Sequence, residues 1–253
     1  MDPTAVKDEK MRPPVFYVPW TPSIPGWSID KASLQGAAWL AKRAGNKLML
    51  VSSTQNYQQN AMASHTRGAV VAKPVSLWKT KWRVGPVLAP WPTEEILGEL
   101  ASGLHRKATT ICVIEWGDDA FQTAWLQAHR ARSVLDGEVY PGADLPLLDP
   151  VVEAAMTELT QLVNHGNALG NPYEKPQTVE LLQLLLQAGY GWDVDRLCGW
   201  ALANDFTGAE VRNLRDYATK VSQGHRFRNR HTHRYAAGAV ARWEAAAKGG
   251  TTA

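Results

Sequence analysis

The sequence predicts an α/β domain with a small, mostly parallel sheet and flanking helices, followed by an all-α helical bundle. Three observations predict it. Short β-rich runs alternate with helical periodicity as far as about residue 135, the pattern of a sheet with helices on its faces. Residues 136–150 are dense in Pro and Gly, and beyond them every periodic run is helical. The chain has 253 residues, room for one large domain or two ordinary ones, and at 45% hydrophobic and 20% charged its composition is globular. The expected organisation is an α/β domain over 1–135, a linker over 136–150 and a helical domain over 151–253 with a basic C-terminal arm.

Ile29 to Ala44 reads as a helix, with Ser28 or Asp30 as its cap and Gly45 as its stop. Lys47 to Thr54 is a buried strand, Gln55 to Ser64 a polar helix or turn, and Ala69 to Ala72 a second strand. A basic loop, Lys73 to Arg83, leads to a short strand over Pro86 to Pro90. Thr93 then starts a helix that runs to about Leu104. Thr109 to Glu115 is the clearest strand, and Gly117 and Asp118 open a helix over Asp119 to Leu135. Past the linker, Asp149 caps a helix from Pro150 to about Asn164, with the proline where a missing N–H costs nothing. Pro176 to Ala188 is an apolar helix stopped by Gly189, and Asp193 caps Val194 to Asn204. Thr207 or Gly208 opens a helix through about Gln223, and Tyr235 to Lys248 is an Ala-rich helix that ends at Gly249.

The run Asp149 to Thr160, the segments Leu186 to Trp192, Trp200 to Asn204 and Leu214 to Ala218, and the earlier Gly85 to Glu95 carry a family likeness. In these residues the chain resembles a group of uncharacterised actinobacterial proteins often found near mobile elements. The resemblance spans about two thirds of the chain. It implies the two-part organisation and an intracellular setting, and it implies no activity, cofactor or site residue.

Charge is sorted along the chain. Residues 31–93 hold nine Lys or Arg and no acid, 94–216 hold 19 acids against 8 bases, and 217–243 hold six bases and no acid. A net charge of +3 therefore hides strong local fields, which act on partners and association rates more than on the fold. No apolar run approaches the roughly 20 residues that cross a bilayer, so no membrane partner is expected. Residues 1–14 lack the apolar core of a secretory signal, and Cys112 and Cys198 lie in apolar stretches as reduced, buried thiols, so a cytoplasmic setting is expected.

No phosphate-binding glycine loop follows any strand, and no nucleophile elbow occurs, so no standard nucleotide cofactor is expected. His231 and His233 are interleaved with arginines that repel a cation, so no metal is expected there. Ser53 and Thr54 after one strand, with Glu115 and Asp118 after another, stand where open α/β sheets bind ligands, as a degenerate RecA-like nucleotide site would; ordinary helix-capping turns look the same.

The basic segments point to nucleic acid. Arg226, Arg228, Arg230 and Arg234 alternate with Phe227 and Asn229 in the manner of a phosphate-tracking arm. The preceding helix would expose Arg212, Asn213, Arg215 and Lys220 as a recognition helix, although Glu210 and Asp216 share it. Lys79, Lys81 and Arg83 bracket Trp78 and Trp82, a positive groove with aromatic platforms. The leading expectation is a non-enzymatic protein that binds the phosphate backbone of DNA or RNA through two basic regions. The alternative is an assembly module that docks an acidic protein, and the third is an enzyme using the strand ends for a nucleotide or metal. Basic faces docked internally on the acidic middle would produce the same sequence.

Overall fold

The computed structural model describes residues 12–104, 106–117, 119–164, 167–225, 227, 235 and 237–249. Val15–Val18 (β1), Leu48–Leu50 (β2), Val70–Ala72 (β3), Gly85–Pro90 (β4), Ala108–Ile114 (β5) and Arg132–Ser133 (β6) form one sheet. Its order is β3-β2-β4-β5-β1-β6, and every pairing is parallel. Parallel sheets are covered on both faces, which is why the central strands read as apolar runs without alternation and all of Gly85–Pro90 is buried.

On one face Ile29–Ala41 (α1) lies across β4, β5 and β1, with the short helices Thr54–Gln58 (α2) and Met62–His65 (α3) beside it. Gly36 of α1 fits over Ile114 where a Cβ would come within 2.7 Å of the Ile114 side chain. Trp39, Leu40, Met49, Leu88 and Cys112 fill this layer. The other face carries Glu94–Gly98 (α4), continued by a wider helical turn over Glu99–Gly103, and Ala120–Ala128 (α5).

Behind α4 and α5 stand the five helices of the second half: Pro150–Leu162 (α6), Glu174–Gln187 (α7), Val194–Ala203 (α8), Gly208–Ser222 (α9) and Ala239–Gly249 (α10). Their starts follow the expected chemistry. Asp149 accepts from the Val151 N–H, Asp193 from the Arg196 N–H, and Thr207 and Glu210 form a reciprocal capping box. One apolar core runs from Val87, Ile111 and Val113 of the sheet through Ile96 and Trp125 to Leu197, Leu214 and Trp243. Among the described residues no helix is long and apolar enough to cross a membrane.

The two halves meet at glycines. A Cβ on Gly98 would stand 2.4 Å from the Gly208 nitrogen, and one on Gly208 would stand 2.5 Å from the Glu95 Cα. Gly199 of α8 meets Ala124 of α5 in the same way, at 2.3 Å from the Ala124 Cβ. Segment 136–150 packs along this junction. Leu148 is buried, and the Tyr140 ring meets Tyr17 edge to face at 4.8 Å.

The strand expected over Lys47 to Thr54 is confined to Leu48–Leu50, the helix expected from Tyr235 begins at Ala239, and three further elements depart from expectation. β1 was not anticipated, because Pro13, Pro14 and Pro19 surround its four residues. The helix expected over Asp119 to Leu135 stops at Ala128. There the Ala131 N–H closes back on the Leu126 carbonyl at 3.0 Å and Arg130 turns left-handed (φ 47°), which releases Arg132–Ser133 to pair with β1. The helix expected to run to Leu104 does so, but with the wider turn from Glu99.

Two predictions follow from this packing. In an exposed helix Gly→Ala stabilises, whereas Gly98→Ala is expected to cost about 1–3 kcal/mol by overpacking against Gly208. A lowered urea midpoint checks it, and an unchanged or raised midpoint contradicts the contact. The second concerns His129, whose ring stacks on Trp125 with Nδ1 2.9 Å from the Trp125 carbonyl and whose pKa burial lowers to about 4. The native state therefore disfavours a proton that the unfolded chain accepts near pH 6.5. Stability is expected to be full above about pH 6.5 and to fall as pH drops toward 4, and His129→Gln is expected to flatten that slope in urea melts.

Candidate nucleic-acid interface

Because all strands run parallel, whatever precedes a strand lies on one edge of the sheet. The residues entering β2 are Lys42, Arg43 and Lys47, those entering β3 include Arg67, those entering β4 are Lys81 and Arg83, and those entering β5 are Arg106 and Lys107. These entry segments contain no Asp or Glu. They also touch. The Val70 N–H donates to the Lys47 carbonyl at 2.9 Å, the Trp82 indole to the Asn46 carbonyl at 2.7 Å, and the Gly85 N–H to the Lys107 carbonyl at 3.1 Å. Gly85 admits this closure with a backbone φ of 151° and no Cβ, which would meet the Asn46 oxygen at 2.1 Å. The result is a basic ridge across four adjacent strands, roughly 14 Å wide at about 4.8 Å per strand.

Among the described residues none of the nine bases in 31–93 forms an ion pair with a carboxylate. Outside the block four bases have carboxylate partners, Arg130 with Asp144, Arg215 with Glu94 and Asp195, Lys220 with Asp216, and Arg242 with Glu158, while Arg12, Arg132 and Arg196 donate to backbone carbonyls. Within the described residues the block shares a groove with the acidic stretch at Arg83 and Glu99. Some of its cations rest instead on rings: Arg43 lies 4.7 Å from the Trp39 ring centre and 5.6 Å from that of Phe16.

Beside the ridge, the single-turn helix Pro74–Lys79 carries Trp78 at 77% exposure, with the Lys79 ammonium 5.0 Å from its ring centre. The Trp78 indole donates to the Val75 carbonyl, which fixes the ring outward. A groove of about 420 Å³ opens there, lined by Trp78, Trp82, Arg83, Lys107 and Glu99 among others. Burial raises the Glu99 pKa, Lys107 works against that rise and Glu95 adds to it.

The expected site residues separate into distinct places. Trp78, Lys79, Lys81 and Arg83 converge on the ridge and groove, whereas Trp82 is 4% exposed and joins two entry segments rather than offering a stacking face. On α9, Arg215 turns inward, and although burial opposes its charge, the bonds to Asp195 and Glu94 hold its pKa above the usual arginine value. Asn213 donates to the Ala168 carbonyl at 2.6 Å, Lys220 pairs with Asp216 at 2.7 Å, and Arg212 is exposed. A groove-reading face on α9 is therefore largely spent on holding the fold. Phe227 packs against Tyr217 at 6.1 Å, while Arg226, Arg228, Arg230 and Arg234 lie outside the described residues.

The strand-end set is likewise occupied. Ser53 caps α2 by accepting from the Asn56 N–H, and Thr54 begins that helix. Buried Glu115 accepts from the Trp20 N–H at 3.1 Å and the Tyr140 hydroxyl at 2.6 Å; with burial as the larger cause, it helps push the Tyr17 pKa up to about 12. Asp118 lies outside the described residues. Among the described residues no group of three or more His, Cys, Asp or Glu is placed to hold a metal ion. Sequence reasoning missed Lys42, Arg43, Lys47, Arg67, Arg106 and Lys107 as one surface. Their shared signal is a base immediately ahead of each strand of a parallel sheet.

Residues 148–244, the helical half, match a family model described as Domain of unknown function (DUF1889). The chain is similar to a cysteine–tRNA ligase of Phenylobacterium zucineum (strain HLK1), 29% identical over 173 residues, which cover 59% of this chain. That stretch is 36% of the relative, so the chain spans about a third of the length of the curated protein it matches. No solved structure matches the chain.

Arg215 offers a direct check on its inward role. Its side chain is 32% exposed, between the surface and buried limits, so Arg215→Ala is expected to cost about 1–3 kcal/mol in chemical denaturation. A midpoint that does not move would show the ion pairs to be energetically silent.

Proposed function

We propose that the protein is a non-enzymatic nucleic-acid-associated protein whose first half grips the phosphate backbone along the amino edge of its sheet. One observation carries the reading: among the described residues the nine bases of 31–93 form no ion pair with a carboxylate, and most of them gather at the entry ends of three adjacent strands. Arg43, Lys47, Lys81, Arg83, Arg106 and Lys107 are the phosphate contacts, and Trp78 stacks an unpaired base above the groove. An exposed ring beside guanidinium and ammonium groups favours single strands, whose bases are free to stack. The similar protein named as a tRNA ligase points the first trial at RNA. The arginine-rich run 226–234 adds a second basic region, and the setting is cytoplasmic.

Fluorescence anisotropy of labelled single- and double-stranded RNA and DNA tests this. Affinity is expected to fall about 10³-fold between 50 and 200 mM salt if six phosphates are engaged. The triple variant Lys81→Glu, Arg83→Glu, Lys107→Glu is expected to abolish binding while keeping the native melting curve. Trp78→Ala should cost about 1–3 kcal/mol on single strands and nothing on duplexes. Absence of binding to every oligonucleotide at 50 mM salt would overturn the proposal and assign the ridge to an acidic protein. A further check uses the acid in the groove. Its raised pKa means wild-type binding tightens as pH falls and Glu99 loses its charge, and Glu99→Gln is expected to bind more tightly and to lose that pH dependence.

A further inference from the structure

The opposite, carboxyl edge of the sheet gathers aromatic rings. Trp20 and Trp27 of the loop after β1 meet at 4.4 Å, Trp20 meets Trp116 after β5 at 5.1 Å, and Trp116 meets Trp91 after β4 at 6.1 Å. Beside Trp91 and Trp116 a cavity of about 280 Å³ opens, floored by Val51 and Met62 and rimmed by Ser52, Asn56 and Tyr57. It lies where the connections from β2 and β4 depart in opposite directions, the crevice at which open α/β sheets bind ligands.

Trp91 holds a left-handed backbone, φ 47°, a conformation that strains a non-glycine residue. Its N–H nonetheless donates to the Ile114 carbonyl at 2.9 Å, so the strain is fixed by the sheet and sets the ring as a wall of the cavity. Trp116 forms the neighbouring wall at 44% exposure, with the Trp116 N–H bound to the Gln122 amide oxygen at 3.2 Å.

We infer that this cavity binds an uncharged, planar heteroaromatic ligand of the nucleobase or nucleoside class. Four features select that class. Among the described residues no charged side chain lines the cavity. The exposed Asn56 amide and the Ser52 hydroxyl supply both donors and acceptors, as the edge of a base requires. The volume sits just under the usual 300–1,000 Å³ of small-molecule sites, enough for one base or nucleoside rather than a dinucleotide. The adjoining loop offers little backbone to hold phosphates: it carries Pro22 and Pro25, its Trp20 N–H is spent on Glu115, and α1 begins with Ser28 on the Lys31 N–H and with Asp30 in its first turn, although the Lys31 ammonium lies beside Gly26.

Saturation-transfer NMR on the full chain tests this, with adenosine, guanosine, cytidine and uridine set against their triphosphates. At least one nucleoside is expected to bind at millimolar concentration or tighter. Trp116→Ala, a half-exposed ring whose loss spares the core, should weaken it by tenfold or more, and Ser52→Phe should block it. The charge-reversed amino-edge variant should leave it unchanged, which separates this site from the nucleic-acid ridge. No nucleoside signal, equal binding by Trp116→Ala, a triphosphate that binds far tighter than its nucleoside, or loss in the charge-reversed variant would each overturn the assignment.

Discussion

Backbone contact at Gly98 and Gly208 is the constraint on which the rest of the molecule depends. With no side chain between them, α4 and α9 approach until main chain meets main chain, and Gly199 lets α8 do the same against α5. Those contacts place the Arg215 guanidinium between Glu94 of the first half and Asp195 of the second. They also bring Leu197 and Leu214 into the core that Val87 and Ile111 begin. Strands of three residues such as β2 and β3 hold few ladder bonds of their own. The sheet persists because each face is covered, one by α1 and the other by α4 and α5 with the helical half behind them.

A rigid parallel sheet has a consequence for charge. Every strand enters at one edge and leaves at the other, so the composition of the entry and exit segments becomes a property of two opposite surfaces. Lys42, Lys47, Arg67, Lys81, Arg83 and Lys107 precede strands and gather on the amino edge. Trp20, Trp91 and Trp116 follow strands and gather on the carboxyl edge. Topology, more than sequence proximity, makes each set a surface. The same topology brings Lys107 to the basic loop of Lys81 and Arg83 from the far side of α4.

Much of the fold was legible in the sequence. The α/β-then-helical division, the strand at Thr109 to Glu115 and the caps Asp149, Asp193 and Thr207 rest on local signals, which survive folding. Elements defined by their partners were not legible. β1 lies among prolines and exists because β5 and β6 pair with it on either side. Part of the candidate site was legible too, since an acid-free run with Trp78 at its centre is visible in composition. Its extent was not, because Arg106 and Lys107 fall in the stretch that composition marks as acidic. Spacing also placed Arg215 on a recognition helix and Trp82 on a stacking surface. Neither position reveals what packs over it, and in both cases the neighbour is another segment of the chain.

Arginines hold this fold in two ways, through carboxylates and through backbone carbonyls. Arg130 has Asp144, Arg215 has Glu94 and Asp195, and Arg242 has Glu158, whereas Arg12 and Arg196 reach the backbone carbonyls of Ala203 and Pro146. Such residues could have stood on the amino edge as well, and acids there would have relieved the mutual repulsion of its cations. Like charges gathered on one surface disfavour the compact state and gain nothing from one another. A polyanion supplies the opposite sign from outside and recovers the repulsion as binding free energy, steeply dependent on salt. On the proposed reading a phosphate backbone would complete the electrostatics of the basic edge, and the ring-lined cavity of the opposite edge would take the other half of a nucleotide, the base.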